Sequence, residues 1–219
     1  MRKSFLCGTA LVLGLVTSGC DGGDDHDHDH DLDLDHDHIH IISRVELTFT
    51  PDAGGDPVTA TFSDPDGDGG MSGTSDPIEL TLGTTYTLTI KVLNELESPT
   101  EDVTEEIEEL AEEHLMLIYG DGVGGPATTS SAPLVTHAYA DVESDYAPND
   151  VGDDLPVGLR NTITANAEGM SELSVMLRHL PPLNDEPQKR ADLPGLFAND
   201  SALPGDVDVD VSFELNVVP

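Results

Sequence analysis

From Ile42 onward the chain alternates apolar and polar residues with the period of a half-buried strand. "RVELTFT" sets Val45, Leu47 and Phe49 against Arg44, Glu46 and Thr48, and "PVTATFS" repeats the pattern through Val58, Ala60 and Phe62. "TYTLTIKVLN" continues it through Tyr86, Leu88, Ile90 and Val92. "DVDVDVSFELNV" is the clearest case: Val207, Val209, Val211, Phe213, Leu215 and Val217 are expected to face inward. Less regular segments at 78–82, 114–119, 134–140, 157–165 and 171–180 complete the strand candidates, separated by stretches rich in Gly, Pro, Asp and Asn.

One helix interrupts this pattern. In "SPTEDVTEEIEELAEEH" the spacing of Ser98 and Glu101 fits a capping box with Pro99 at the first helical position. Val103, Ile107, Leu110, Ala111 and His114 then share a stripe. Short strands with a single helix predict a mainly β fold: an antiparallel, immunoglobulin-like β-sandwich of about eight strands with the helix across one end or edge. Connections at 120–133 and 181–206 exceed the usual four to six residues, which marks them as functional or mobile.

Composition narrows the classes. Aromatic residues make up 4% of the chain and tryptophan is absent, so the core rests on Val, Leu, Ile and Ala. Forty-four acidic residues against eight lysines and arginines give a formal charge of −36. Such a field repels nucleic acid and anionic lipid and attracts cations. A balance of this sign also suits a protein bathed in high salt, where screening relieves self-repulsion.

Before the alternating region the chain reads differently. Arg2 and Lys3 precede the apolar run "FLCGTALVLGLV", which has the length of a secretory h-region and is too short to span a bilayer. It ends at "VTSGC", which resembles a bacterial lipoprotein signal, with Ser18 and Gly19 before a Cys20 that would carry the lipid. The expected organisation is therefore a signal peptide over 1–19, a His/Asp-rich arm over 20–41 and a sandwich domain over 42–219. With Cys7 removed and Cys20 acylated, no cysteine pair is left for a disulfide.

The arm, "DGGDDHDHDHDLDLDHDHIH", offers almost nothing to a core and is expected to be disordered until it binds something. In an extended chain His26, His28, His30, His36, His38 and His40 share one edge and aspartates the other. Imidazoles at that spacing can share an ion, with carboxylates as oxygen ligands, so the arm is read as a collector of Zn2+, or of Cu2+ or Ni2+, with little selectivity. The alternative is a polar spacer.

Two further sets are weaker. In "DPDGDGG", Asp64, Asp66 and Asp68 match the opening of a calcium loop, although the twelfth position is Ser75 where a bidentate glutamate would stand. An acidic loop at 141–154 is of the same kind. His114, His137 and His179 lie on three different strand candidates and could form a second metal site, with Glu112, Glu113 or Asp141 as fourth ligand. No nucleophile elbow, zincin motif, P-loop or dinucleotide fingerprint is present, and a non-enzyme is expected.

Several segments taken together carry a resemblance. "FSDPDGDGG", "LNELESPTEDVTEEIEELAEEH", "AYADVESD" and "VMLRHLPP", following a cysteine and a His/Asp-rich tract, resemble a family of small envelope lipoproteins of Gram-negative bacteria often described as having a type 1 periplasmic binding fold. The similarity runs over most of 42–218, and 93–114 is its most specific part. It implies metal uptake beside outer-membrane receptors and assigns no active-site residues; the expected partner is an outer-membrane receptor or metal transporter. The fold it implies needs alternating strands and helices, whereas this chain offers one convincing helix, so the sandwich expectation stands. The expected function is capture of a divalent metal by an arm anchored through lipid on Cys20 in the bacterial envelope; the rival is a surface module stabilised by Ca2+, with the arm as spacer.

Overall fold

The computed structural model describes residues 41–67, 73–149 and 152–219. It is mainly β, with two sheets facing one another. In chain order the strands are β1 (Arg44–Pro51), β2 (Val58–Ser63), β3 (Thr74–Ser75), β4 (Ile78–Thr81), β5 (Thr85–Asn94) and β6 (Glu101–Asp102). After helix α1 (Val103–Glu109) and a 3-10 turn (Ala111–Glu113) come β7 (His114–Tyr119), β8 (Val123–Gly124), β9 (Val135–Tyr139), β10 (Arg160–Ala165) and β11 (Gly169–His179). A six-residue helix α2 (Leu193–Ala198) precedes β12 (Asp206–Val218).

The larger sheet runs β3-β2-β1-β5-β10-β9-β8, with β6 pairing on β5. The smaller runs β4-β12-β11-β7. Most pairs are antiparallel, as expected, but β4 lies parallel to β12 and β8 parallel to β9, which corrects the fully antiparallel expectation. Strand β4 follows β2 and β3 of the larger sheet in the chain yet pairs at the end of the smaller one, beside the last strand, while β8 and β9 are neighbours within the larger sheet.

The core forms where the two inner faces meet. Val45, Leu47, Phe49, Tyr86, Leu88, Ile90 and Ile163 from the larger sheet pack against Met116, Ile118, Leu173, Val175, Leu177, Val209, Val211 and Phe213 from the smaller. A second, smaller cluster lies on the opposite face of β7 and β11, where Leu115, Leu117, Met176 and Leu180 are covered by Ala127 and Leu193 with Phe197 and Leu203. The two long connections therefore act as a third layer over the small sheet. Burial on both faces also explains why "HLMLIY" shows no alternation.

The helix begins later than the capping-box pattern predicts. Glu101 and Asp102 pair with Asn94 and Leu93 as strand β6, so Ser98 caps nothing. Asp102 is the N-cap, accepting from the Thr104 backbone N–H at 3.2 Å, while Val103 and Ile107 face the core.

A candidate metal centre at the rim of the small sheet

His114 opens β7 directly behind the 3-10 turn, and alternation sets it on the same core-facing side as Met116 and Ile118. Its cross-strand partner is His179, the last residue of β11. The two imidazoles stack with ring centroids 4.9 Å apart and an interplanar angle of 5°. His114 Nδ1 lies 3.0 Å from the Leu110 carbonyl oxygen; since a carbonyl only accepts, this nitrogen carries the proton and Nε2 is the lone-pair nitrogen of the neutral ring.

The third member comes from β12, on the other side of β11, through an irregularity in the ladder. Leu177 pairs with Val209 and Arg178 with Val207, which leaves Asp208 without an opposite residue. An extra residue of this kind is a β-bulge, and bulges re-aim side chains. Val207 consequently turns outward and is 46% exposed, a correction to the alternation expected of this strand. Asp208 turns toward the histidines instead. Its Oδ2 is buried, and one ligand atom from each of His114, His179 and Asp208 lies within 4.8 Å of the others.

The turn before β12 holds the bulge in place. Gly205 has φ of +69°, and a Cβ there would stand 2.0 Å from the His179 carbonyl oxygen, so no side chain fits. Arg178 donates from Nη2 to the carbonyl oxygens of Gly205 at 2.7 Å and of Pro204. Burial and the neighbouring Asp206 push the Asp208 carboxyl up to about 7, against the opposing pull of Arg178.

Two imidazoles and a carboxylate suit a borderline divalent ion such as Zn2+. Tetrahedral zinc at about 2.1 Å from each ligand sets ligand atoms roughly 3.4 Å apart, so to hold an ion these three would draw together and at least one of the two parallel rings would turn to bring its lone pair onto the ion. Glu113, whose side chain is 15% exposed, brings Oε2 to 3.9 Å from His179 Nε2. No helix among the described residues is long and apolar enough to cross a membrane.

The sequence-predicted histidine trio is thus only partly assembled. His137 sits on β9 in the larger sheet, where Nε2 lies 2.9 Å from Asn161 Oδ1, and it is not part of the group. Burial holds its pKa below the usual histidine value, with the Asn161 bond and Asp141 opposing. Asp208 is the residue sequence reasoning missed. Within "DVDVDV" every aspartate reads as outward-facing, and nothing local marks where the register slips.

The remaining candidates divide by location. Cys20, His26, His28, His30, His36, His38, His40 and Asp68 lie outside the described residues. Asp64 is fully buried and Asp66 exposed in the turn after β2, where the Gly67 N–H donates to the Asp64 carbonyl at 3.3 Å. In the acidic loop, Asp141 accepts from the backbone N–H groups of Gly158 and Arg160 and from the Tyr146 hydroxyl, each at 2.8 Å. Glu143 pairs with Lys189 at 2.8 Å. These two carboxylates hold the loop through those bonds. Asp141 is not part of the rim group.

The fold and the rim define a mainly β, two-sheet protein with a candidate His/His/Asp centre. Comparison with protein families, with curated proteins and with solved structures yields no match.

Proposed function

We propose that this protein captures a divalent metal ion, zinc in the first place, at the bacterial cell envelope and presents it to a membrane uptake or efflux partner. The observation that carries the reading is the convergence of His114, His179 and Asp208 from three adjacent strands, with a bulge spent on turning the aspartate inward. The arm from Asp21 to His40 supplies the collecting step: six imidazoles interleaved with carboxylates offer nitrogen and oxygen donors to any borderline divalent ion, which suits collection with little selectivity. Lipid on Cys20 would hold the assembly at the membrane, in keeping with the lipoprotein-like signal before it. Two facing, mostly antiparallel sheets favour an immunoglobulin-like sandwich as the carrier, and the absence of recognisable catalytic motifs favours binding over catalysis.

Calorimetric zinc titration of the full mature chain, produced without lipid at neutral pH, tests this. The parent protein is expected to take up several ions, a variant with the six arm histidines changed to serine to keep one, and that variant carrying H114A and H179A to bind none. Equal zinc uptake by all three would overturn the proposal.

A further inference from the structure

We infer that Glu113 is the fourth ligand of the rim centre, completing a charge-neutral site of two imidazoles and two carboxylates that takes Zn2+ or Co2+ in preference to Ca2+ or Mg2+. This rests on the metal-binding reading above and adds the coordination set and the ion class.

Position comes first. Glu113 ends the 3-10 turn and immediately precedes His114, and its carbonyl accepts the Leu180 N–H at 2.6 Å, so its backbone is tied to both β7 and the end of β11. Its Oε2 already stands 3.9 Å from His179 Nε2. Among other carboxylates, Asp141 is occupied by backbone donors and Asp206 is exposed. Glu106 of α1 also acts electrostatically on Asp208, and is the competing candidate.

Charge decides for a second carboxylate. A divalent cation with two neutral imidazoles and one carboxylate would leave a net positive charge at a site whose histidines are 0% and 7% exposed. Uncompensated charge in such surroundings is costly, and one more carboxylate brings the sum to zero. The same set disfavours Ca2+, which takes six to eight oxygens, and Mg2+, which demands an octahedron of them.

Cobalt makes the coordination visible, because four-coordinate Co2+ absorbs far more strongly in the visible range than six-coordinate Co2+. The full mature chain with its six arm histidines changed to serine is titrated with CoCl2. One equivalent is expected to give the intense four-coordinate band, which Zn2+ abolishes and about a hundred-fold excess of Ca2+ leaves intact. Glu113→Gln is expected to weaken Co2+ binding by about ten-fold or more and to alter the band, while Glu106→Gln leaves both unchanged. Should Glu113→Gln fail to fold, Glu113→Cys reads the same contact, since a ligating thiolate adds a near-ultraviolet charge-transfer band.

Three results overturn the inference: a Glu113→Gln variant matching its parent in affinity and spectrum, loss of the band in Glu106→Gln instead, or displacement of Co2+ by Ca2+. Absence of the charge-transfer band in a Co2+-loaded Glu113→Cys protein does the same. A parent that takes up no stoichiometric Co2+, or whose Co2+ survives H114A with H179A, sinks the underlying reading instead.

Discussion

Asp208 carries a cost in the fold that a bound cation would relieve. Its buried Oδ2 lacks a hydrogen-bond partner among the described residues, and its carboxyl is pushed up to about 7, so at higher pH its ionised form weighs against folding. Asp208→Asn removes that ionisation. The ion-free variant is expected to be more stable at pH 8 by about 1 kcal/mol, allowing for partial solvation, while zinc affinity falls at least about ten-fold. Chemical denaturation and calorimetry on one preparation check both; a variant that loses stability without losing zinc would make Asp208 an ordinary structural residue.

Lys189 shows the opposite balance. It spans from the long 181–205 connection to donate to the Ala111 carbonyl at 2.7 Å and to pair with Glu143, with both charged side chains 3% exposed. Burial pulls its pKa down while Glu143 and Asp141 pull it back up. Lys189→Ala would strand Glu143 without a counter-charge, at a cost of about 3 kcal/mol or more in urea unfolding. Removing Arg190, paired with Asp192 at the surface, should shift the urea midpoint hardly at all.

At the scale of elements, the β9–β10 pair carries a buried titratable contact. His137 is held neutral by burial against Asn161, with a pKa below the roughly 6.5 of the unfolded chain. Above that value neither state is protonated and the residue contributes no pH dependence. As pH falls, the unfolded chain takes the proton first, so stability drops until the pH passes the depressed folded value. His137→Gln, which keeps an amide facing Asn161, should therefore show a flatter loss of stability between pH 7 and 5 than the parent. Parallel curves would assign that loss to other groups.

The same scale shows what could be read in advance. β1, β2, β5 and most of β12 announce themselves by alternation because one of their faces is buried and the other is wet. β7 does not, being covered on one face by the larger sheet and on the other by connections whose docking is a tertiary fact. The helix start is misplaced because Glu101 and Asp102 find partners on β5, a competition local capping rules do not contain. His114 and His179 are legible as histidines at strand ends, but their pairing depends on strand order. Asp208 depends on a register slip set by the Gly205 turn and the Arg178 clamp, so it was legible only in three dimensions.

For the whole molecule, an ion at the rim would tie together strands that the chain joins only through long detours. His114, His179 and Asp208 are separated by 65 and 29 positions in sequence, and the 181–205 connection runs between the last two. An ion bound only by the folded form stabilises it by about 2.7 kcal/mol at a hundred times its dissociation constant. In a body of this size that raises the melting temperature by roughly 5–10 °C. Salt should act in the same direction by a different route: with a formal charge of −36, self-repulsion is screened as ionic strength rises, and any divalent cation would share that effect. Melting in 0.5 M NaCl separates the two. There a saturating Zn2+ increment should persist while an equal concentration of Ca2+ adds almost nothing, and H114A with H179A should erase the zinc increment without changing the response to NaCl. If Ca2+ and Zn2+ raised the melting temperature equally in high salt, the cation effect would belong to the acidic surface and not to the rim.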